Sequence, residues 1–182
     1  KLESEFEASK NEAFVPDTQT LAANWTEYFG GPEPSDRVDT TVETAKLSEL
    51  IDRLTRLPGE FSPHKKLKRP MQQRRDMAAG KRPLDWATAE AAAFATLLDA
   101  GHAVRLTGQD CERGTFSHRH AVLHDVRTGS KYVPLQNLRE GQARLELHNS
   151  PLSEAGVLGF EYGYSLDCPA GLCMWEAQFG DF

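Results

Sequence analysis

The stretch from Asp85 to Gly108 restricts the possible folds more than any other part of this chain. Asp85 stands before the alanine- and leucine-rich run Trp86–Ala100, and Gly101 follows it. An aspartate side chain can accept a hydrogen bond from a free first-turn N–H, and a glycine can take the left-handed turn that closes a helix. Residues 102–107 then read as a short β run ended by Gly108. Further on, residues 143–148 alternate in strand fashion, and residues 152–164 read as a helix with Ser150 as its N-cap and Pro151 at the first helical position. Residues 171–175 form another apolar strand candidate. Helix, strand, strand, helix, strand implies an α/β domain with a largely parallel sheet and flanking helices, because parallel strands need long, usually helical, connections.

The preceding residues 1–83 are more polar and broken by Pro16, Gly30-Gly31-Pro32 and Pro34. They are expected to form a helical linker, with the α/β domain occupying residues 84–182. Residues 2–10 can form a short amphipathic helix. In residues 41–57 the side chains Leu47, Leu50, Ile51 and Leu54 fall at helical spacing, and Pro58-Gly59 stops the run. The basic stretch from His64 to Arg75 lacks interleaved aromatics and reads as a solvated helix face. Both ends look cut: the chain starts at Lys1-Leu2-Glu3 and stops at Asp181-Phe182 straight after a strand-like run, so an internal piece of a longer protein is expected.

Hydrophobic residues at 39% and charged residues at 26% are enough for one domain with a true core. A net charge of -6 disfavours nucleic acid or anionic lipid as a partner, and no apolar run is long enough for a membrane span. Three cysteines, an odd number, without a secretion signal argue for free thiols in a reducing compartment.

The segment from Gly108 to His120 is the densest polar cluster and directly follows a strand, where parallel α/β sheets bind their ligands. Cys111, His118, His120 and His124 are metal-ligand types, but their spacing fits no common zinc pattern, so no metal site is expected. Cys111 beside a histidine would suit a nucleophile, although the pattern is generic. The plainer alternative is that Arg113, Arg119 and the histidines tie the loop down. Glu154 lies in a first helical turn, where the helix dipole favours a carboxylate; a surface glutamate would satisfy the same pattern. Glu161 sits further along among apolar residues. Phe179 and Phe182, separated by Gly180-Asp181, could stack on a flat ring or pack in a core.

Several long segments, in order and spacing, resemble the thiamine-diphosphate-dependent decarboxylase component of 2-oxoglutarate dehydrogenase complexes. They are Asp85-Trp86-Ala87-Thr88-Ala89-Glu90, Val104 to Asp110, Arg113 to Asp125, Asn149-Ser150 with Leu152-Ser153-Glu154, Leu158-Gly159-Phe160-Glu161-Tyr162-Gly163-Tyr164, and Trp175 to Phe182. The resemblance is strong from about Gly80 onward and weaker through Leu57-Pro58 and residues 64–77. It implies the start of a transketolase-like pyrimidine-binding domain, incomplete, preceded by linker. The cofactor implied is thiamine diphosphate, with a magnesium ion held by a diphosphate domain whose Gly-Asp-Gly motif this chain lacks. In such enzymes an acidic side chain bonded to the pyrimidine favours the imino tautomer, which serves as the internal base. The resemblance places that role on Glu154, with Glu161 as the fallback. It further implies Leu152 supporting the bent cofactor, Phe179 or Phe182 stacking on the pyrimidine, and Gln109 or Asp110 in a polar relay. His118, Arg119 and His120 would order the site or meet an anion. The implied partners are a second copy of the subunit and the lipoyl domain of the dihydrolipoyl succinyltransferase component, in bacterial cytoplasm or mitochondrial matrix. A catalytically idle scaffold relative, a 2-oxoadipate dehydrogenase and a 2-oxoglutarate decarboxylase remain alternatives at this point.

Overall fold

A computed structural model describes residues 3–4, 10, 25–28, 31 and 38–177. The chain divides into two compact units, Lys1–Glu33 and Pro34–Phe182. In the first, Trp25 to Tyr28 form a turn whose two rings meet edge to face at 5.6 Å. The expected helix over residues 2–10 falls largely outside the described residues.

In the second unit the described helices are α1 (Thr44–Arg53), α2 (Lys68–Ala78), α3 (Trp86–Ala100) and α4 (Glu154–Asp167). The strands are β1 (Val104–Gly108), β2 (Leu123–His124), β3 (Lys131–Tyr132), β4 (Leu145–Asn149) and β5 (Leu172–Glu176). Strands β4, β1 and β5 form a parallel sheet in that order, and β2 with β3 is a small antiparallel hairpin. The α/β architecture with a parallel sheet and flanking helices is the one expected.

Helix α3 begins and ends as its sequence dictates. The Asp85 carboxylate accepts from Thr88 N at 2.8 Å, and Gly101 adopts a left-handed φ of 96°. Its buried side chains Ala91, Phe94, Ala95 and Leu98 pack with Val104, Leu106 and Leu145 of the sheet. Leu50 and Leu54 join the same core from α1 and the residue after it. Helix α1 is shorter than residues 41–57. Thr41 N bonds to Asp39 Oδ1 in a turn before the helix, and the Thr55 hydroxyl bonds back to Asp52 O just after it. Arg75 of α2 then holds Thr55 in place through its carbonyl and hydroxyl. The basic stretch is only partly a solvated face, since α2 buries Met71 and Met77 and sends Arg74 Nη2 to Arg119 O at 2.9 Å.

Helix α4 starts later than its sequence suggested. Ser153, not Ser150, is the N-cap, accepting from Gly156 N at 3.3 Å. Ser150 N is bound to Gly108 O at 2.7 Å, so the chain is still tied to the sheet at that point and Pro151 lies ahead of the helix. The β2–β3 hairpin was not foreseen, because two-residue strands carry no periodicity. Its turn is organised by Asp125, whose carboxylate accepts from Ser62, Arg127 and Thr128 backbone N–H groups. These three bonds hold the Asp125 carboxyl below the usual aspartate range.

Candidate functional site

Parallel pairing aligns Gly108, Asn149 and Glu176 at one edge of the sheet. The three segments singled out in the sequence therefore leave from one carboxyl edge: Gln109 and the loop after it, Ser150 to Glu154, and Ala177. Asn149 fastens the first two together, its Oδ1 accepting from Glu112 N at 2.9 Å. Ligand sites of parallel α/β sheets lie at such an edge.

Strand alternation sends Val104 and Leu106 to one face and Arg105 and Thr107 to the other. On that second face Arg105 aligns with Glu146 and Cys173, and Thr107 aligns with His148 and Trp175. Helix α4 covers this face with Glu154, Val157 and Glu161, its three buried side chains. A cavity of about 230 Å³ opens there, with Arg105, Thr107, Asn149, Leu152, Phe160 and Glu161 in its wall.

Glu154 is 9% exposed, and its Oε2 accepts from the Trp175 indole N–H at 3.0 Å. The carboxyl is thus inside the protein, not on the surface of a helix start. Glu161 is 4% exposed and gripped by Arg105 through two bonds of 2.7 and 2.8 Å. Burial alone would raise the Glu161 carboxyl, but Arg105 with Cys173 and Thr107 outweighs it and holds the group below the ordinary range. Arg105 also bonds Glu146 and lies over the Tyr164 ring at 4.3 Å. Glu161 is therefore an ionised member of a charge network, a poor choice for a proton donor. Leu152 is half exposed in the cavity wall.

Gln109 is exposed at the sheet edge, while Asp110 accepts from Arg113 Nε at 2.9 Å. The following loop is tightly wound. Ser117 and His120 take positive φ values of 52° and 46°, and Gly114 takes 82°. A side chain at position 114 would lie 2.5 Å from the His118 ring, so glycine makes room for that imidazole. Among the described residues the buried His118 Nδ1 has no hydrogen-bond partner. Burial and the nearby Arg74 hold His120 below the usual imidazole value. Arg119 is 5% exposed and commits its nitrogens to Glu90, Glu176 and the Cys111 carbonyl. That geometry orders the loop and leaves Arg119 unsuited to capturing an external anion. Cys111 is 1% exposed, bonded to His148 O, and burial pushes its thiol up to about 11, so a nucleophilic thiolate is not formed there. Among the described residues no group of three His, Cys, Asp or Glu side chains is placed to hold a metal ion, and no helix is long and apolar enough to cross a membrane. Phe179 and Phe182 lie outside the described residues.

Sequence reasoning overlooked Arg105, Glu146, Glu90 and Glu176, whose partners are 29 to 57 residues away in the chain. The available signal was Arg105 itself, a charge in the middle of an otherwise apolar strand.

Residues 82–182 match the model of the transketolase pyrimidine-binding domain. The chain belongs to that family. The match takes in α3, the whole parallel sheet and α4, and so includes Leu152, Glu154 and Glu161. The chain is also similar to curated proteins named 2-oxoglutarate dehydrogenase E1 component. It is 52% identical to that of Oceanobacillus iheyensis over 81% of this chain and 15% of the relative. It is 50% identical to that of Coxiella burnetii over 88% of this chain and 17% of the relative. For Rickettsia felis the identity is 46% over 100% of this chain and 18% of the relative. The chain thus spans less than a fifth of the length of these relatives.

Proposed function

We propose that this chain is the pyrimidine-gripping part of a thiamine-diphosphate-dependent 2-oxoglutarate dehydrogenase decarboxylating component, with Glu154 as its activating acid. The observation that carries this reading is a carboxyl group 9% exposed, held at the sheet's carboxyl edge within the family's matched span. The residues present suit a neutral heterocycle: Glu154 is buried on this face of the sheet, and the cavity there, walled by Leu152, Val157 and Phe160 with Thr107, Asn149 and Glu161, has its cation Arg105 already paired. They do not suit a diphosphate or its metal ion, which fall to a domain outside these residues.

When bound, thiamine diphosphate supplies a carbon nucleophile for a 2-oxo acid and an electron sink for its decarboxylation. Glu154 would present its carboxyl to the pyrimidine nitrogen remote from the thiazolium ring. Burial under α4 keeps bulk water from competing for that hydrogen bond. Leu152, two residues ahead, would brace the ring from the cavity wall, and Phe179 or Phe182 would stack on it. Gln109 and Asp110 lie on the adjoining loop, within the polar fringe of the same edge. Arg119 and the histidines keep the loop in shape. In the full complex a lipoyl group of the succinyltransferase component would receive the four-carbon unit, and a second copy of the subunit would complete the cofactor site, with magnesium held by the diphosphate domain.

Glu154→Gln in the full-length enzyme keeps the shape of the side chain and removes its acid. Cofactor-dependent decarboxylation of 2-oxoglutarate is expected to fall by about 100-fold or more, with the thermal midpoint little changed. Near wild-type turnover in this variant would exclude Glu154 as the acid.

A further inference from the structure

Strand β1 ends at Gly108, whose carbonyl accepts from Ser150 N at 2.7 Å, and the chain then leaves the sheet. By Cys111 it has come back to the end of β4: that residue is 1% exposed and its Sγ lies 3.1 Å from His148 O. A backbone N–H that leaves a sheet still needs an acceptor. For Glu112 N the acceptor is the side chain of Asn149, at 2.9 Å, and Asn149 is in register with Gly108. A backbone donor can meet only the oxygen of a carboxamide, which fixes which way round the Asn149 side chain sits. Glu112 O in turn accepts from Ala121 N at 2.9 Å, so the same residue also secures the far end of the loop.

Gln109 and Asp110 therefore stand in a two-residue arch closed on both sides, by Gly108 with Ser150 and by Cys111 and Glu112 at the end of β4. Asparagine side chains often replace backbone partners in this way where a regular ladder stops. We propose that Asn149 is a positioning residue: its Oδ1 stands in for the next rung of the sheet and sets Gln109 and Asp110 at a constant place beside the segment from Ser150 to Glu154. That segment begins one residue after Asn149, so a single side chain keeps both stretches in step. This inference rests on the reading of both stretches as contacts of thiamine diphosphate, and adds to it the residue that holds them together. An oxygen is all the bond requires, so aspartate can replace asparagine here and alanine cannot.

The test uses the full-length enzyme with magnesium present. In Asn149→Ala the Kd for thiamine diphosphate, read by calorimetry, should rise about 3- to 10-fold, the size expected for loss of one hydrogen bond. Independently of the cofactor, the Glu112 amide should exchange its hydrogen about tenfold faster or more. Asn149→Asp should return both values to within about threefold of the wild type, a rescue that a merely structural loss would not show. If Asn149→Ala does not fold, Asn149→Ser, whose hydroxyl is one bond shorter, takes its place under the same criteria. Unchanged exchange or an unchanged Kd overturns the proposal, as does an Asn149→Asp enzyme as impaired as Asn149→Ala. A wild-type enzyme that bound no thiamine diphosphate would instead sink the cofactor reading, while the exchange rates would still decide whether Asn149 holds the loop.

Discussion

The two faces of the parallel sheet are built on different principles, although they share the same strands. One face aligns Leu147, Leu106 and Met174 beneath α3 and α1, with Val104 and Leu145 beside them. The other aligns Glu146, Arg105 and Cys173, then His148, Thr107 and Trp175, beneath α4. Hydrophobic burial is non-directional and tolerant, so the first face stabilises the fold with little demand on geometry. Buried charges cost heavily unless paired, so the second face holds its groups in narrowly defined places. The difference shows where the molecule gives up stability for position: the candidate acid Glu154 stands on the second face.

This contrast can be broken from either side. The largest effect is expected on the apolar face. Leu98, 0% exposed in α3, should cost about 3 to 5 kcal/mol when cut to alanine, read from the midpoint of urea unfolding. Arg105→Met on the polar face should cost about 3 kcal/mol, because it strands two carboxylates of low exposure. Adding Glu146→Gln and Glu161→Gln should return much of that loss, which single apolar truncations never do. The same variant sharpens the comparison through pH. Glu161 and Glu146 are both held below the ordinary glutamate value of 4.5 against burial, chiefly by Arg105. Their stabilisation is therefore complete above that value and is lost as pH falls through the lower folded values. Arg105→Met should flatten this acid limb, whereas Leu98→Ala should lower the whole curve and keep its shape. The smallest effect concerns where α4 begins. Ser153→Ala should cost about 1 kcal/mol by removing the helix cap, and Ser150→Ala distinctly less. Equal losses would mean that the helix starts nearer the sheet than Ser153.

Much of the fold was legible in the residues themselves. Asp85 and Gly101 mark the ends of α3 because capping is a local matter of a few bonds. Apolar runs announced β1 and β5, and alternation announced β4, to within one or two residues of their actual limits. The order helix, strand, strand, helix, strand pointed to parallel pairing, and the family resemblance named Glu154 as the candidate acid. Local rules failed where a distant partner intervened. The residues alone placed the cap of α4 at Ser150, but it falls at Ser153 because Ser150 N is bound to Gly108 O. Helix α1 ends early because Arg75, from the next helix, holds Thr55.

From the sequence by itself came the class of fold, the family resemblance and the identity of the candidate acid, since each depends on neighbours along the chain. Only tertiary structure decided that Glu161 is bound to Arg105, that Arg119 is spent on Glu90 and Glu176, and that Trp175 meets Glu154. These contacts join residues 21 to 57 apart. Directional bonds of this kind depend on distances of a few ångströms and on the register of neighbouring strands, and neither is encoded in the spacing of residues along one segment.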